Sequence, residues 1–163
     1  MQLAIRNWQR SRKIDLPLLC RIVRSLLTQH LEVTGSDLGV FLVAAPEMTR
    51  LNENFLQHAG STDVITFDYG ETGKRKPTAS LHGEIFVCVD EAMIQAKKFR
   101  TTWQSEIIRY IVHGSLHLLG HDDANTPARK KMKAVENRVV GQLAKEFDLR
   151  RLDKGRYTPK FTR

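Results

Sequence analysis

Cysteine is scarce in this chain: Cys20 and Cys88 are the only two among 163 residues, far apart and outside any Cys-x-x-Cys spacing. Each sits in an apolar run, Leu18-Leu19-Cys20 and Ile85-Phe86-Val87-Cys88-Val89, so each reads as a small buried hydrophobe without assigned chemistry. Long apolar stretches are also missing, and none approaches the ~20 residues that a membrane span requires. The opening Met-Gln-Leu-Ala-Ile-Arg-Asn-Trp lacks the basic region, apolar core and cleavage site of a secretory signal. A cytoplasmic location is therefore expected, where a disulfide would be unusual. Negative charge is in short supply as well: 18 Asp and Glu face 26 Lys and Arg, a net charge of +8. A small domain with that excess commonly meets a polyanion, nucleic acid above all, although charge alone leaves an ordinary basic protein equally open.

What is present describes one α+β domain over residues 1–163. Residues 3–8 alternate as a strand, and 16–31 carry apolar side chains at helical spacing, with Asp15 as N-cap and Pro17 in the first turn. Residues 38–45 read as a buried strand. A short helix over 46–57 is expected to turn Met48, Leu51 and Phe55 inward. Strands follow at 63–67 and 83–89, separated by a polar segment at 70–80 that is the best candidate for a mobile loop. Asp90 reads as the cap of a helix reaching Arg100, and residues 103–119 carry the strongest helical pattern in the chain. A last helix runs over 126–147, and residues 148–163 read as a basic, loosely ordered tail. Strands and helices mix throughout, so the expected architecture is a small mixed four-stranded sheet flanked by helices.

The chemistry concentrates in His113-Gly-Ser-Leu-His117-Leu-Leu-Gly-His-Asp-Asp123. Two histidines four residues apart on a helix share one face and can converge on a single cation. A third ligand on the same straight helix cannot surround that ion, so the chain must break, and Gly120 stands where a helix-ending glycine permits it. His121, Asp122 and Asp123 follow as potential ligands. The spacing matches that of metzincin proteases, but the Glu those enzymes carry directly after the first His is Gly114 here. The metal frame is present and the protease base is missing.

The same segment resembles the hallmark of the YbeY family of bacterial rRNA maturation factors. Leu51-Asn52, Thr62-Asp63-Val64-Ile65-Thr66-Phe67 and His82-Gly83-Glu84-Ile85 resemble further family stretches in the same order, and Glu106 falls where the family places Glu. The resemblance implies one zinc ion per chain in a cleft. It also implies single-strand endoribonuclease activity, linked to the 3′ end of small-subunit 16S rRNA and to ribosome maturation and quality control. The family's third ligand is His, whereas by position this chain has Asp123, giving a His113, His117, Asp123 set with His121 as the alternative. An Arg that the family often carries after Leu-Asn is Leu56 here, with His58 the candidate substitute against a plain surface histidine.

The expected mechanism places a metal-bound water on His113, His117 and Asp123, with Glu106 orienting His113 from behind or serving as an exposed helix carboxylate. Arg109 and the tail residues Arg150 and Arg151 are candidate RNA contacts, to be weighed against ordinary solvated charges. RNA, the ribosome or a small-subunit precursor are the implied partners, no membrane contact is expected, and the chain reads as a monomer. Two competing readings remain: a ribosome-assembly factor with a structural metal, and a metzincin-like protease disfavoured by Gly114.

Overall fold

Four strands and five α-helices account for most of the chain in the computed structural model, which describes residues 1–70 and 80–158. The strands are β1 (Gln2–Asn7), β2 (Gly35–Val43), β3 (Val64–Asp68) and β4 (Ser80–Cys88). They form one sheet in the order β1-β2-β4-β3, with β1, β2 and β4 parallel and β3 antiparallel to β4. The expected mixed four-stranded sheet is present. The loop expected at 70–80 lies, beyond its two ends, outside the described residues.

Alternation within the strands sorts the sheet into two unequal faces. Leu38, Val40 and Leu42 of β2, with Leu81, Ile85 and Val87 of β4, point to the main core beneath α1 (Leu16–Ser25), α4 (Trp103–Leu118) and α5 (Thr126–Glu146). The other face carries Phe41, Ile65, Phe67 and Phe86, and among the described residues its helical cover is the short α2 (Ala45–Phe55). So small a cover explains one departure from the sequence reading. Met48 is fully buried and Leu51 half-buried, but Phe55 is 63% exposed, its ring set edge-to-face with that of Phe67.

Asp15 caps α1 by accepting from Leu18 N, as expected, but the α geometry stops at Ser25 and gives way to a π-helical turn over Leu26–His30. Helix α3 (Val89–Phe99) begins two residues earlier than a cap at Asp90 requires. The Asp90 carboxylate is engaged elsewhere, accepting from Ser11 Oγ and from Ala45 N, and so ties α3 to the start of α2. The tail also differs from the expectation. Leu149–Leu152 form a 3-10 turn with Leu149 and Leu152 buried, Asp153 bridges to Ile14, and Lys154 N donates to Lys13 O at 2.9 Å. Residues 159–163 lie outside the described part.

Candidate metal centre

Helix α4 supplies the first two functional side chains. Thr102 caps it by accepting from Ser105 N, and Trp103, Ile107, Ile108, Ile111 and Leu118 bury its apolar stripe. The helix lies very close to the sheet at Gly114. A Cβ at that position would meet Ile85 Cγ2 at 2.9 Å and Thr66 Cγ2 at 3.0 Å. A glutamate placed there, as a metzincin-like protease would need, has its side chain driven into the sheet. The absence of the protease base thus has a packing cause. His113 and His117 flank this contact on the half-exposed side of the helix.

The helix then ends abruptly. Gly120 adopts φ +93°, its N–H donates to His117 O at 2.9 Å, and His121 N donates to Leu116 O at 3.0 Å. This pair of bonds is the glycine-dependent helix stop that returns the chain across the helix end. Asn125 caps α5 three residues before Ala128, so Asp123 is held between two helix termini, with Arg129 Nε against its carbonyl at 3.4 Å.

The turn closes a triangle. His113 Nε2 and His117 Nε2 are 3.0 Å apart, and Asp123 Oδ2 lies 4.0 Å and 3.5 Å from them respectively. Among the described residues these three form the group of side chains able to hold a metal ion. Ligand bonds of about 2.0–2.2 Å in a tetrahedron imply edges of roughly 3.3–3.6 Å, and the three observed edges bracket that value. The protons strengthen the fit. His113 Nδ1 faces Glu136 Oε2 at 2.9 Å and His117 Nδ1 faces the carbonyl of His121 at 3.2 Å. Both partners only accept, so both imidazoles carry hydrogen on Nδ1 and present lone pairs at Nε2. Two lone pairs facing each other at 3.0 Å repel unless a cation or an added proton joins them. The donor set therefore suits a divalent ion that accepts nitrogen and carboxylate ligands.

Glu136 was not singled out in the sequence. It sits on α5, 3% exposed, and also receives Arg109 Nη1 at 2.7 Å and Lys133 Nζ at 3.0 Å. Burial pushes its carboxyl up, but the hydrogen bonds from His113, Arg109 and Lys133 outweigh that and hold it at about 2. Its signal was a carboxylate at an inward position of an amphipathic helix, between Met132 and Val139. The carboxylate on His113 is thus Glu136 and not Glu106. Glu106 is buried, which excludes the exposed-carboxylate reading, and it accepts from Thr101 Oγ1 at 2.6 Å. Arg109 is committed to Glu136 and Asn137.

The remaining candidates fall elsewhere. The His121 side chain is outside the three-residue group, and burial followed by Lys131 and His117 lowers its pKa. Leu56 and His58 are exposed and do not line the cleft beside the metal group. Arg150 pairs with Asp148 in the turn after α5, and Arg151 is exposed there. No described helix is long and apolar enough to cross a membrane.

Residues 4–144 match the family model described as Endoribonuclease YbeY. A relative of that name from Myxococcus xanthus is 35% identical over 83% of this chain, which spans 46% of that longer protein. Another, from Chlorobium luteolum, is 34% identical over 88% of this chain and 98% of its own length. The solution structure of TM1509 from Thermotoga maritima shares the fold, with a TM-score of 0.65 at 23% identity, covering 99% of this chain and all of that one. With the family model spanning most of its length, this chain belongs to the endoribonuclease YbeY family.

Proposed function

We propose that this protein is a zinc-dependent single-strand endoribonuclease acting in rRNA processing, at the 3′ end of small-subunit 16S rRNA, and in ribosome maturation. One observation carries the reading: two imidazoles with fixed Nδ1 protons aim their Nε2 atoms at one point, closed by Asp123 Oδ2, in a chain whose relatives are named endoribonucleases. His113, His117 and Asp123 are the proposed ligands, one ion per chain. The preference for Asp123 over His121 is supported by the Oδ2 distances and by the use of the His121 carbonyl as the partner of His117.

When bound, the ion supplies a Lewis acid for a phosphate oxygen and acidifies water at neutral pH. The chain's own groups do the rest. Glu136 and the His121 carbonyl hold the two imidazoles in the ligating tautomer. Asp123 leaves the site one unit less positive than a third imidazole would. Arg129 and Lys133 line the adjoining cleft and offset phosphate charge. RNA carries its own nucleophile in the 2′-hydroxyl, so the missing glutamate at Gly114 is no obstacle to strand cleavage. The cation excess suits an RNA partner, and a small-subunit precursor is the proposed setting.

The test is cleavage of a single-stranded RNA by nuclease-free protein, with and without chelator, beside a His113→Ala variant. The expected result is cleavage abolished by either change. Cleavage unchanged in His113→Ala assigns the activity to a contaminant and favours the binding-factor reading. End-group analysis separates the routes, since a 2′,3′-cyclic phosphate excludes direct attack by water.

A further inference from the structure

The cleft that begins at His113 and Asp123 runs on between α3, α4 and α5 to a volume of about 530 Å³, within the range of small-molecule sites. Its lining carries carboxylates as well as cations. On the α5 side Lys133 is paired with Glu136 beside Arg129, and Asp63, Gln95, Phe99 and Tyr110 line the other.

Two features of that second side point to a flat, hydrogen-bonding ligand. The Tyr110 side chain is 4% exposed, yet its hydroxyl has no hydrogen-bond partner among the described residues. Buried hydroxyls are normally paired, and an unpaired one is costly. Burial first, then the nearby charge of Asp63, Glu106 and Glu91, pushes the phenol well up, so the hydroxyl keeps its proton as a donor. Phe99 is the second feature. It ends α3 one turn after Gln95, on the same side of the helix, and is 60% exposed even with the Lys98 ammonium 5.3 Å from its ring centre. Exposed aromatic rings are what single-stranded nucleic acid uses for stacking, and Arg129 supplies a cation in the same cleft.

The polar groups have a definite sense. Asp63 Oδ1 accepts from Val64 N at 2.8 Å and Thr62 Oγ1 at 3.3 Å, while the described residues give no hydrogen bond to Oδ2. A carboxylate oxygen accepts and never donates. Guanine offers adjacent ring N–H and amino donors on one edge, matching a carboxylate. Uracil offers one N–H between two carbonyl oxygens, which a carboxylate repels.

We propose that this arm of the cleft is a nucleobase subsite, in which Phe99 stacks a base of the bound RNA and Asp63, Gln95 and Tyr110 bond its edge, favouring guanine over uracil. The inference rests on the nuclease reading for its RNA, but its test does not depend on cleavage. Calorimetric titrations of the whole protein with guanosine 5′-monophosphate, uridine 5′-monophosphate and ribose 5-phosphate compare base with phosphate. The guanine nucleotide is expected to bind at least about five-fold more tightly than the other two. Stacking of ~1–3 kcal/mol per base makes Phe99→Ala reduce its affinity by about 5- to 150-fold, with ribose 5-phosphate unaffected. Asp63→Asn is expected to erase the preference, and Tyr110→Phe to weaken guanine binding without disturbing the fold.

Equal binding of the three compounds, a uracil preference, or guanine binding indifferent to Phe99→Ala each overturns the subsite. RNA cleavage alongside any of these results leaves the nuclease reading standing. Guanine binding that requires Phe99, in a protein that cuts no RNA, supports the subsite and removes the nuclease reading instead.

Discussion

Glu136 Oε2 lies 2.9 Å from His113 Nδ1, across 23 residues of sequence and between two helices. The contact fixes which nitrogen of His113 can ligate. Losing an outer partner of this kind commonly costs 10–100-fold in metal affinity. Glu136→Ala is expected to weaken zinc binding by about that factor in competition with a chromophoric chelator. The circular dichroism spectrum should stay that of a folded protein. Unchanged affinity would show that Glu136 does not orient His113.

Zinc should also stabilise the fold. Facing lone pairs on His113 and His117 are relieved by the ion, and a ligand at a thousand times its Kd adds about 4 kcal/mol. Thermal melts with and without zinc should show a raised Tm that His117→Ala abolishes. Asp123→Ala is expected to lose the shift and His121→Ala to keep most of it. The reverse pattern would give the third ligand to His121.

Tyr110→Phe removes a buried hydroxyl that has no partner among the described residues. The expected change in urea unfolding is a gain of about 1 kcal/mol, since the desolvation cost disappears with the group. A loss of comparable size would mean the hydroxyl is satisfied in solution.

Glu146 joins α5 to the end of α1 through His30 Nε2 at 3.0 Å and Ser25 Oγ at 2.7 Å. The His30 bond, then that of Ser25, hold its carboxyl below the usual range despite slight burial. A folded pKa below the unfolded one means the contribution is present above the ordinary glutamate value and is lost as pH falls through the folded value. Between pH 5 and pH 3 the wild-type Tm should therefore fall further than that of Glu146→Gln. Parallel curves for the two proteins would remove the ion pair as a source of acid sensitivity.

The segment after α5 offers a test by deletion. Leu149 and Leu152 are buried, and core leucines cost about 2–5 kcal/mol each on truncation. Ending the chain at Asp148 should lower stability by at least several kcal/mol, whereas Arg150→Ala with Arg151→Ala should leave the urea midpoint nearly unchanged. A truncated protein as stable as the whole one would return this segment to the status of a loose tail.

What could be read from the sequence was local. The pattern from Trp103 to Leu118 announces a helix, and the four-residue interval between His113 and His117 announces a shared face. The need to turn back at Gly120 follows from the same helical geometry. What could not be read was the pairing of remote positions. Glu136 meets His113 only because α5 packs on α4, and a glutamate among the lysines and arginines of α5 looks like a solvated charge. Charge and turn-forming residues likewise masked Leu149 and Leu152, whose burial depends on a partner edge at Ile14. Asp90 looked like a helix cap because its competing partners, Ser11 and Ala45, are distant in the chain. Phe55 looked like a core residue because periodicity records a face and not how much protein covers it.

The tight seat of Gly114 on the sheet also bears on the choice of ion. Gly114 fixes how deep the helix lies, and the Nδ1 bonds to Glu136 and to the His121 carbonyl fix the two rings upon it, so His113 and His117 behave as a caliper of set opening. First-row divalent ions bound at about 2 Å suit that opening. Calcium, which takes 6–8 oxygen ligands at about 2.3–2.6 Å, does not. A first-row divalent ion is thus the expected occupant, its two imidazoles held from behind by Glu136 and the His121 carbonyl on a helix seated against Ile85 and Thr66.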